Sequence, residues 1–183
     1  MKSKIGSLLC AATFGVMALS SSSAFAASFR FTQGGYSDGG VITGAFDATD
    51  LNNNGAISSF DGEVTGFSLS FSGNAIVGSF NHSLSDLRGL VYDLGSGFIG
   101  DGATGAVEGL ASNWFGASGF DFASGLGPTG VFGGRVIDIA SGASSSTREL
   151  IAVTAVPEPE TYAMLLAGLG LLGGLARRRQ QKR

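Results

Sequence analysis

The sequence predicts an all-β protein: an antiparallel two-sheet sandwich, jelly-roll-like, followed by a single C-terminal transmembrane helix. Three observations predict it. Short stretches alternate apolar and polar residues, most plainly Phe67-Ser-Leu-Ser-Phe-Ser72, which sets Phe67, Leu69 and Phe71 on one face. Clusters of Gly, Asn, Asp and Ser interrupt these stretches at short spacings, and the chain holds 31 Gly in 183 residues, about 17% against an average near 7%. No window of the central region sustains a 3.6-residue apolar period, whereas residues 161–176 form a charge-free apolar run beside a basic cluster.

The same alternation assigns strands to Phe29–Thr32, Val41–Phe46, Phe67–Ser72, Ala75–Phe80, Leu90–Leu94, Phe120–Phe122, Arg135–Ala140 and Leu150–Val156. About eight short strands, each with one polar face, suit two stacked sheets. Twelve of the 14 Phe fall within 27–156, enough to fill such a core. Ser83-Leu84-Ser85-Asp86 fits one helical turn capped by Ser83. Ser141–Thr147 reads as a small polar linker before the last strand.

Charge divides the chain into three parts. Residues 27–156 carry four Arg, no Lys and twelve Asp or Glu, a net charge of −8. Such a domain repels polyanions, so no nucleic-acid partner is expected. One Cys and one His exclude a disulfide scaffold and a Cys/His zinc site.

Residues 1–26 read as a secretory signal peptide. Lys2 and Lys4 form the positive start, Leu8–Leu19 the apolar segment, and Ala24-Phe25-Ala26 the small-x-small site for signal peptidase, with cleavage after Ala26. Cys10 lies inside the apolar segment, preceded by Leu9 where a lipoprotein anchor needs a small residue, so 27–183 has no cysteine.

The C-terminal part, 157–183, opens with Pro157-Glu158-Pro159. The two prolines exclude a helix interior and keep this stretch extended. Thr161–Ala176 follows, 16 residues without a charge, roughly 24 Å as helix. Arg177, Arg178 and Arg179 then stop the run and should remain cytoplasmic by the positive-inside rule. Motif, apolar helix and basic cluster in this order resemble the PEP-CTERM sorting signal of Gram-negative exported proteins. In some schemes the same tail bears the label of an ice-binding protein C-terminal domain, which describes an address and implies no ice binding. The resemblance implies recognition by an exosortase, an integral-membrane transpeptidase-like enzyme, and cutting near Pro157–Pro159. It also implies transient anchoring in the inner membrane, then a cell-surface or extracellular location in the company of exopolysaccharide or biofilm components.

Within 27–156 several residues could carry chemistry. Asp50, Asn52 and Asn54 fall at positions 1, 3 and 5 of a loop resembling an EF-hand calcium loop, with Gly55 at the sharp turn and Asp61 at position 12. Asn54-Gly55 is equally a type I′ hairpin signal, so a plain polar hairpin competes with a calcium site. Asp61 is shorter than the usual Glu, and Glu63 lies two residues further on. Gly95-Ser-Gly97-Phe-Ile-Gly100 and Gly125-Leu-Gly127-Pro-Thr-Gly130 match the dinucleotide glycine pattern formally, but neither opens a helical pattern, and they read as turns. His82 reads as an exposed loop residue, and no Gly-x-Ser-x-Gly elbow supports a Ser-His-Asp triad around it. Asp93, Asp101, Glu108 and Asp121 are available for glycoside hydrolysis, and no spacing selects a pair. Trp114, the only Trp, stands beside Phe115 in a Gly-rich stretch and reads as a core residue or, with Tyr36 or Tyr92, as a glycan-stacking platform.

The expectation is a non-enzymatic surface or matrix protein, processed by signal peptidase and exosortase and associated with exopolysaccharide. A carbohydrate-binding module, with Trp114 as platform and a structural calcium at Asp50–Asp61, is the alternative. A polysaccharide-acting enzyme is the third reading, disfavoured by the scarcity of His, Lys and Arg.

Overall fold

The computed structural model describes residues 26–102, 107–125, 133–157, 162, 165–170 and 172. Among the described residues, two antiparallel sheets of six strands each lie within 27–156. The strands are β1 Ala27–Gln33, β2 Ile42–Ala48, β3 Ala56–Ser58, β4 Val64–Phe71, β5 Phe80–Ser83, β6 Leu87–Asp93, β7 Phe98–Ile99, β8 Gly109–Ser112, β9 Phe120–Gly125, β10 Gly134–Asp138, β11 Ser144–Thr147 and β12 Ile151–Val156. The first sheet runs β5-β4-β2-β1-β12-β7, the second β11-β10-β9-β8-β6-β3. A jelly roll is made of two Greek keys. Here most strands pair with a chain neighbour, giving two meanders joined by β3, β7 and the return of β12 beside β1.

Period-2 patterning explains the first sheet. Phe29 and Phe31 of β1, Phe46 of β2, and Phe67, Leu69 and Phe71 of β4 point inward and are buried. The alternate residues Ser28, Arg30, Thr32, Thr43, Asp47, Ser68 and Ser70 make a hydroxyl-rich outer face. Gly44 sits opposite Phe31 and Leu69, and a Cβ there would run into the Phe31 ring and the Ser68 carbonyl. The glycine makes room for the Phe31 ring to lie across its strand.

The sheets meet through aromatic contacts. Phe29 and Phe46 pack edge-on against Tyr92, at 5.5 and 5.9 Å between centroids, and Phe80 stacks on Phe120 at 4.9 Å. Such pairs add about 0.5–1.5 kcal/mol each beyond area burial. One buried polar network also crosses the core. Tyr36 Oη donates to Gln33 Oε1 (2.7 Å), and Gln33 Nε2 donates to Ser124 Oγ (2.8 Å) and the Glu149 carbonyl (2.7 Å). Burial pushes the Tyr36 hydroxyl pKa far up, so the phenol stays protonated and donates.

Several strands differ from the sequence reading. Ala75–Phe80 is not a strand until Phe80. Asn74 Oδ1 accepts from the N–H of Ile76 and Val77, folding that stretch into a turn. Ser141–Thr147 is not a linker, because its second half is β11. There Ser145 Oγ donates to the Ser37 carbonyl and accepts from Asn74 Nδ2, so hydrogen bonds fix a strand that hydrophobicity does not announce. β3, β7 and β8 carry no alternation long enough to read. All four residues of β8, and β9 from Asp121 to Gly125, are buried, which erases the inside–outside pattern. The Ser83–Asp86 turn is present as a 3₁₀ turn, Leu84–Asp86, with a capping box between Ser83 and Asp86.

The signal segment up to residue 25 lies outside the described residues, as do Glu158, Pro159 and Arg177–Arg179. Of the expected 161–176 span, Tyr162, 165–170 and Leu172 are described and helical. Among the described residues no helix is long and apolar enough to cross a membrane.

Candidate functional site

The tail follows directly from the sheet. β12 lies between β1 and β7, with Ser28 paired to Val156. Pro157, exposed, comes next and has no N–H to continue the ladder. Ala26, exposed, immediately precedes β1, while Ala24 lies outside the described residues. The two expected processing positions therefore emerge side by side.

The Asp50–Asp61 segment is not a hairpin. It carries the chain from β2 in the first sheet to β3 in the second. The left-handed residues are Asn53 (φ 57°) and Gly55 (φ 82°), and Asn54 is not among them, so no type I′ turn forms at Asn54-Gly55. Asp50 accepts from the N–H of Asn54 (3.2 Å) and Gly55 (2.9 Å). Asn52 accepts from Asn54 (3.0 Å), and Asn54 from Ala56 (2.8 Å). Asp61 stands exposed at the end of the 3₁₀ turn Ser59–Asp61. The residue that organises the loop is Glu63, fully buried, whose two carboxylate oxygens accept from Leu51 N–H (2.9 Å) and Ser58 N–H (2.8 Å). Among the described residues, no group of three or more His, Cys, Asp or Glu is placed to hold a metal ion. The alternating Asx spacing is real, and the structure uses it for backbone hydrogen bonds.

The second cluster surrounds the turn between β8 and β9. Asn113 (φ 49°) and Phe115 (φ 62°) are both left-handed. Asn113 earns that conformation through its side chain, which donates to the carbonyls of Ser118 and Phe120 (both 3.0 Å). Phe115 has no such compensation, and a bulky residue at positive φ is a strained outlier of the kind that gathers at functional sites. Its ring is 87% exposed and meets Trp114 edge-on at 5.6 Å. Trp114 itself is half-buried, with its indole N–H shielded and unpartnered. Beneath the turn, Asp121 Oδ2 accepts from Phe115 N–H (3.3 Å), while its Oδ1 is buried without a partner. Burial raises the Asp121 pKa, and the N–H groups of Phe115 and Gly116, with His82, partly offset that rise. The exposed ring is thus Phe115, one residue beyond the Trp that marks the stretch in the sequence, whereas Tyr36 and Tyr92 are buried in the core and form no platform with Trp114.

His82 is not a loop residue. It sits on β5, half-buried on the Phe80 ring, with Nδ1 2.7 Å from Ser112 Oγ. Burial lowers its pKa, against the pull of Asp86, the Phe120 backbone and Asp121, which favours the neutral ring. Ser112 is 0% exposed, so no substrate reaches its hydroxyl in this fold. Glu108, also 0% exposed, accepts from Asp93 N–H and Gly102 N–H (both 3.2 Å) and is hydrogen-bonded to the Asp101 side chain. Carboxyl groups in direct contact do not flank a glycosidic bond, which needs them about 5 Å or more apart.

Burial raises the Glu108 pKa, with the Asp101 hydrogen bond adding to the rise. An acid with a folded-state pKa above its unfolded value stabilises the fold below the unfolded pKa and loses that contribution as pH rises through the folded one. The stability of Glu108→Gln relative to the parent should therefore increase from pH 4 to pH 8. Urea midpoints across that range check it, and a pH-independent difference would contradict it.

A polar cleft of about 500 Å³ lies at the opposite end of the domain, lined by Gly35, Ser37, Ser146, Thr147, Arg148 and Glu149.

Comparison with known families matches one model, the PEP-CTERM protein-sorting motif, over residues 155–180. No curated protein and no solved structure matches the chain. The matched span starts on the last two residues of β12 and takes in Pro157-Glu158-Pro159, the apolar run and Arg177–Arg179. The tail matches a PEP-CTERM protein-sorting motif, a signal that points to export and to processing by an exosortase.

Proposed function

We propose that this chain is a non-enzymatic surface or matrix protein. Its N-terminal signal directs export and is removed after Ala26. The 161–176 run then holds it in the inner membrane as a transmembrane helix, with Arg177–Arg179 on the cytoplasmic side. Exosortase cuts near Pro157–Pro159, and the domain associates with exopolysaccharide at the surface or in a biofilm. The observation that carries this reading is the sorting motif joined without a spacer to the last strand of a closed β-domain. Co-sedimentation of the released protein with the producer's exopolysaccharide tests it. Retention in the polymer pellet supports the reading, and full recovery in the supernatant opposes it.

A second reading, a saccharide-binding module, is favoured by the 87% exposed Phe115 ring on its strained turn. Sugar rings stack on such faces, and the ring is backed by Trp114. Phe115→Ala should weaken saturable binding to the exopolysaccharide at least tenfold while leaving the melting temperature within about 2 °C. Unchanged binding would remove the turn from consideration, and Trp114→Ala serves as the companion variant.

Calcium at Asp50, Asn52, Asn54 and Asp61 belongs to the same reading. Their loop is already curled by its own hydrogen bonds, so a cation would add to an ordered site. A site with Kd near 10⁻⁴ M, typical of extracellular modules, stabilises by about 1.4 kcal/mol at ten times that concentration. That raises the melting temperature of a domain this size by roughly 3–5 °C. A melt unmoved by millimolar calcium would dismiss the metal.

A further inference from the structure

Both segments expected to meet the membrane leave the domain at one end. Ser28 pairs with Val156, Ala27 with Ala48, and Ala48 with Val64. The start of β1, the end of β2, the start of β4 and the end of β12 therefore lie in one row. Segment 49–63 is attached to that row at both of its ends. The turn after β6 joins it, because Leu94 N–H donates to the Gly55 carbonyl (3.0 Å) and Val153 N–H to the Gly97 carbonyl (2.8 Å). Three large apolar side chains are exposed in these segments, Leu51 at 59%, Phe60 at 66% and Leu94 at 40%; the Phe60 ring lies against Gly89 of β6, which leaves Leu51 and Leu94 without such cover.

The chain leaves little slack. Only residues 157–160 separate Val156 from the apolar run, and four residues span at most about 14 Å. Val64 stands three strand spacings from Val156, again about 14 Å. The far ends of the seven-residue strands are roughly 24 Å away.

We propose that, while the tail is held in the membrane, this end of the sandwich rests on the bilayer surface, with Leu51 and Leu94 in the interfacial layer. The inference rests on the reading of 161–176 as a membrane anchor. Lying on its side, the domain would present the Ser, Thr and Arg face of the first sheet, which gains nothing from lipid. End-on, it buries two leucines. Segments 49–63 and 93–97 contain no Lys or Arg, and Asp47, Asp50 and Asp93 sit at this end. The surface therefore fits a zwitterionic headgroup layer and is repelled by an anionic one. The opposite end, with the Gly34–Val41 turn and the polar cleft, faces outward.

The test uses the full chain with Cys10→Ser, reconstituted in phosphatidylethanolamine/phosphatidylcholine vesicles. Single cysteines are placed at Leu51→Cys, Leu94→Cys and, at the far end, the exposed Ser37→Cys. A membrane-impermeant maleimide reports access, and detergent micelles give the unshielded rate. All three sites are exposed side chains, and melting curves confirm that the variants fold. Expected is labelling of the two leucine positions at least fivefold slower in vesicles than in micelles, with Ser37→Cys unchanged, and weaker shielding when phosphatidylglycerol is added. Equal rates at Leu51→Cys and Ser37→Cys in vesicles that carry the chain would overturn the proposal. Flotation of the same vesicles keeps the two ideas apart: a chain that does not float overturns the anchor itself, and the end-on contact with it.

Discussion

Replacing Pro157 and Pro159 together with alanine leaves the full-length chain in the membrane fraction and lowers its release at least tenfold. The reason begins with the backbone. Proline lacks an N–H and fixes φ, so Pro157 cannot continue the ladder of β12, and a proline at 159 disfavours helix on chemical grounds alone. In a helix interior alanine is about 3 kcal/mol more favourable than proline per position. The double variant therefore favours helix across 157–160, the stretch in which cutting is proposed. The sorting-motif match spans residues 155–180 and so includes both prolines. Fractionation and blotting for the 27–156 domain measure the effect. Release at the parental rate would show that the prolines are not read.

Glu63→Ala is expected to lower domain stability by roughly 3–5 kcal/mol. The fully buried carboxylate accepts from Leu51 N–H at 2.9 Å and Ser58 N–H at 2.8 Å. Hydrogen bonds to a charged group contribute about 1.5–3 kcal/mol each, and alanine leaves both N–H groups unmet with a cavity beside them. Against a total of about 5–15 kcal/mol, this is a large share. Glu63→Gln keeps one acceptor and should lose about half as much. Asp61→Ala, at an exposed position, should stay within about 0.5 kcal/mol. Urea midpoints decide, and a Glu63→Ala loss below 1 kcal/mol would mean that the Asx bonds of Asp50, Asn52 and Asn54 hold the loop alone.

The legible parts of this fold are those buried on one face only. Phe67–Ser72 alternates because its phenylalanines and Leu69 face the core and its serines face water. β8 and β11 were illegible for opposite reasons. Gly109–Ser112 is buried throughout, so nothing alternates, and Ser144–Thr147 is polar throughout, held by bonds to Ser37 and Asn74 that lie far away in sequence. Asn74 likewise turns an apolar stretch, Ala75–Ser79, into a loop through its own side chain. At the candidate sites, the spacing of Asp50, Asn52 and Asn54 serves backbone hydrogen bonds, while the anchor of that loop, Glu63, stands just past the motif. His82 reads as exposed beside Asn81 and Ser83, yet tertiary packing on Phe80 and Ser112 half-buries it. Phe115 stands before Gly116, but only the structure shows that it is exposed and held at a left-handed φ of 62°. The sorting motif over 155–180 is legible because its signal is linear, three features in fixed order that need no fold to be recognised.

The intact mass of the protein recovered outside the cell tests the central claim most directly. The account predicts a species that starts at Ala27 and ends between residues 157 and 160, carrying the complete β12 and none of the apolar run. A released species that retains Arg177–Arg179 would contradict it, since the tail would then be neither anchor nor cleavage signal.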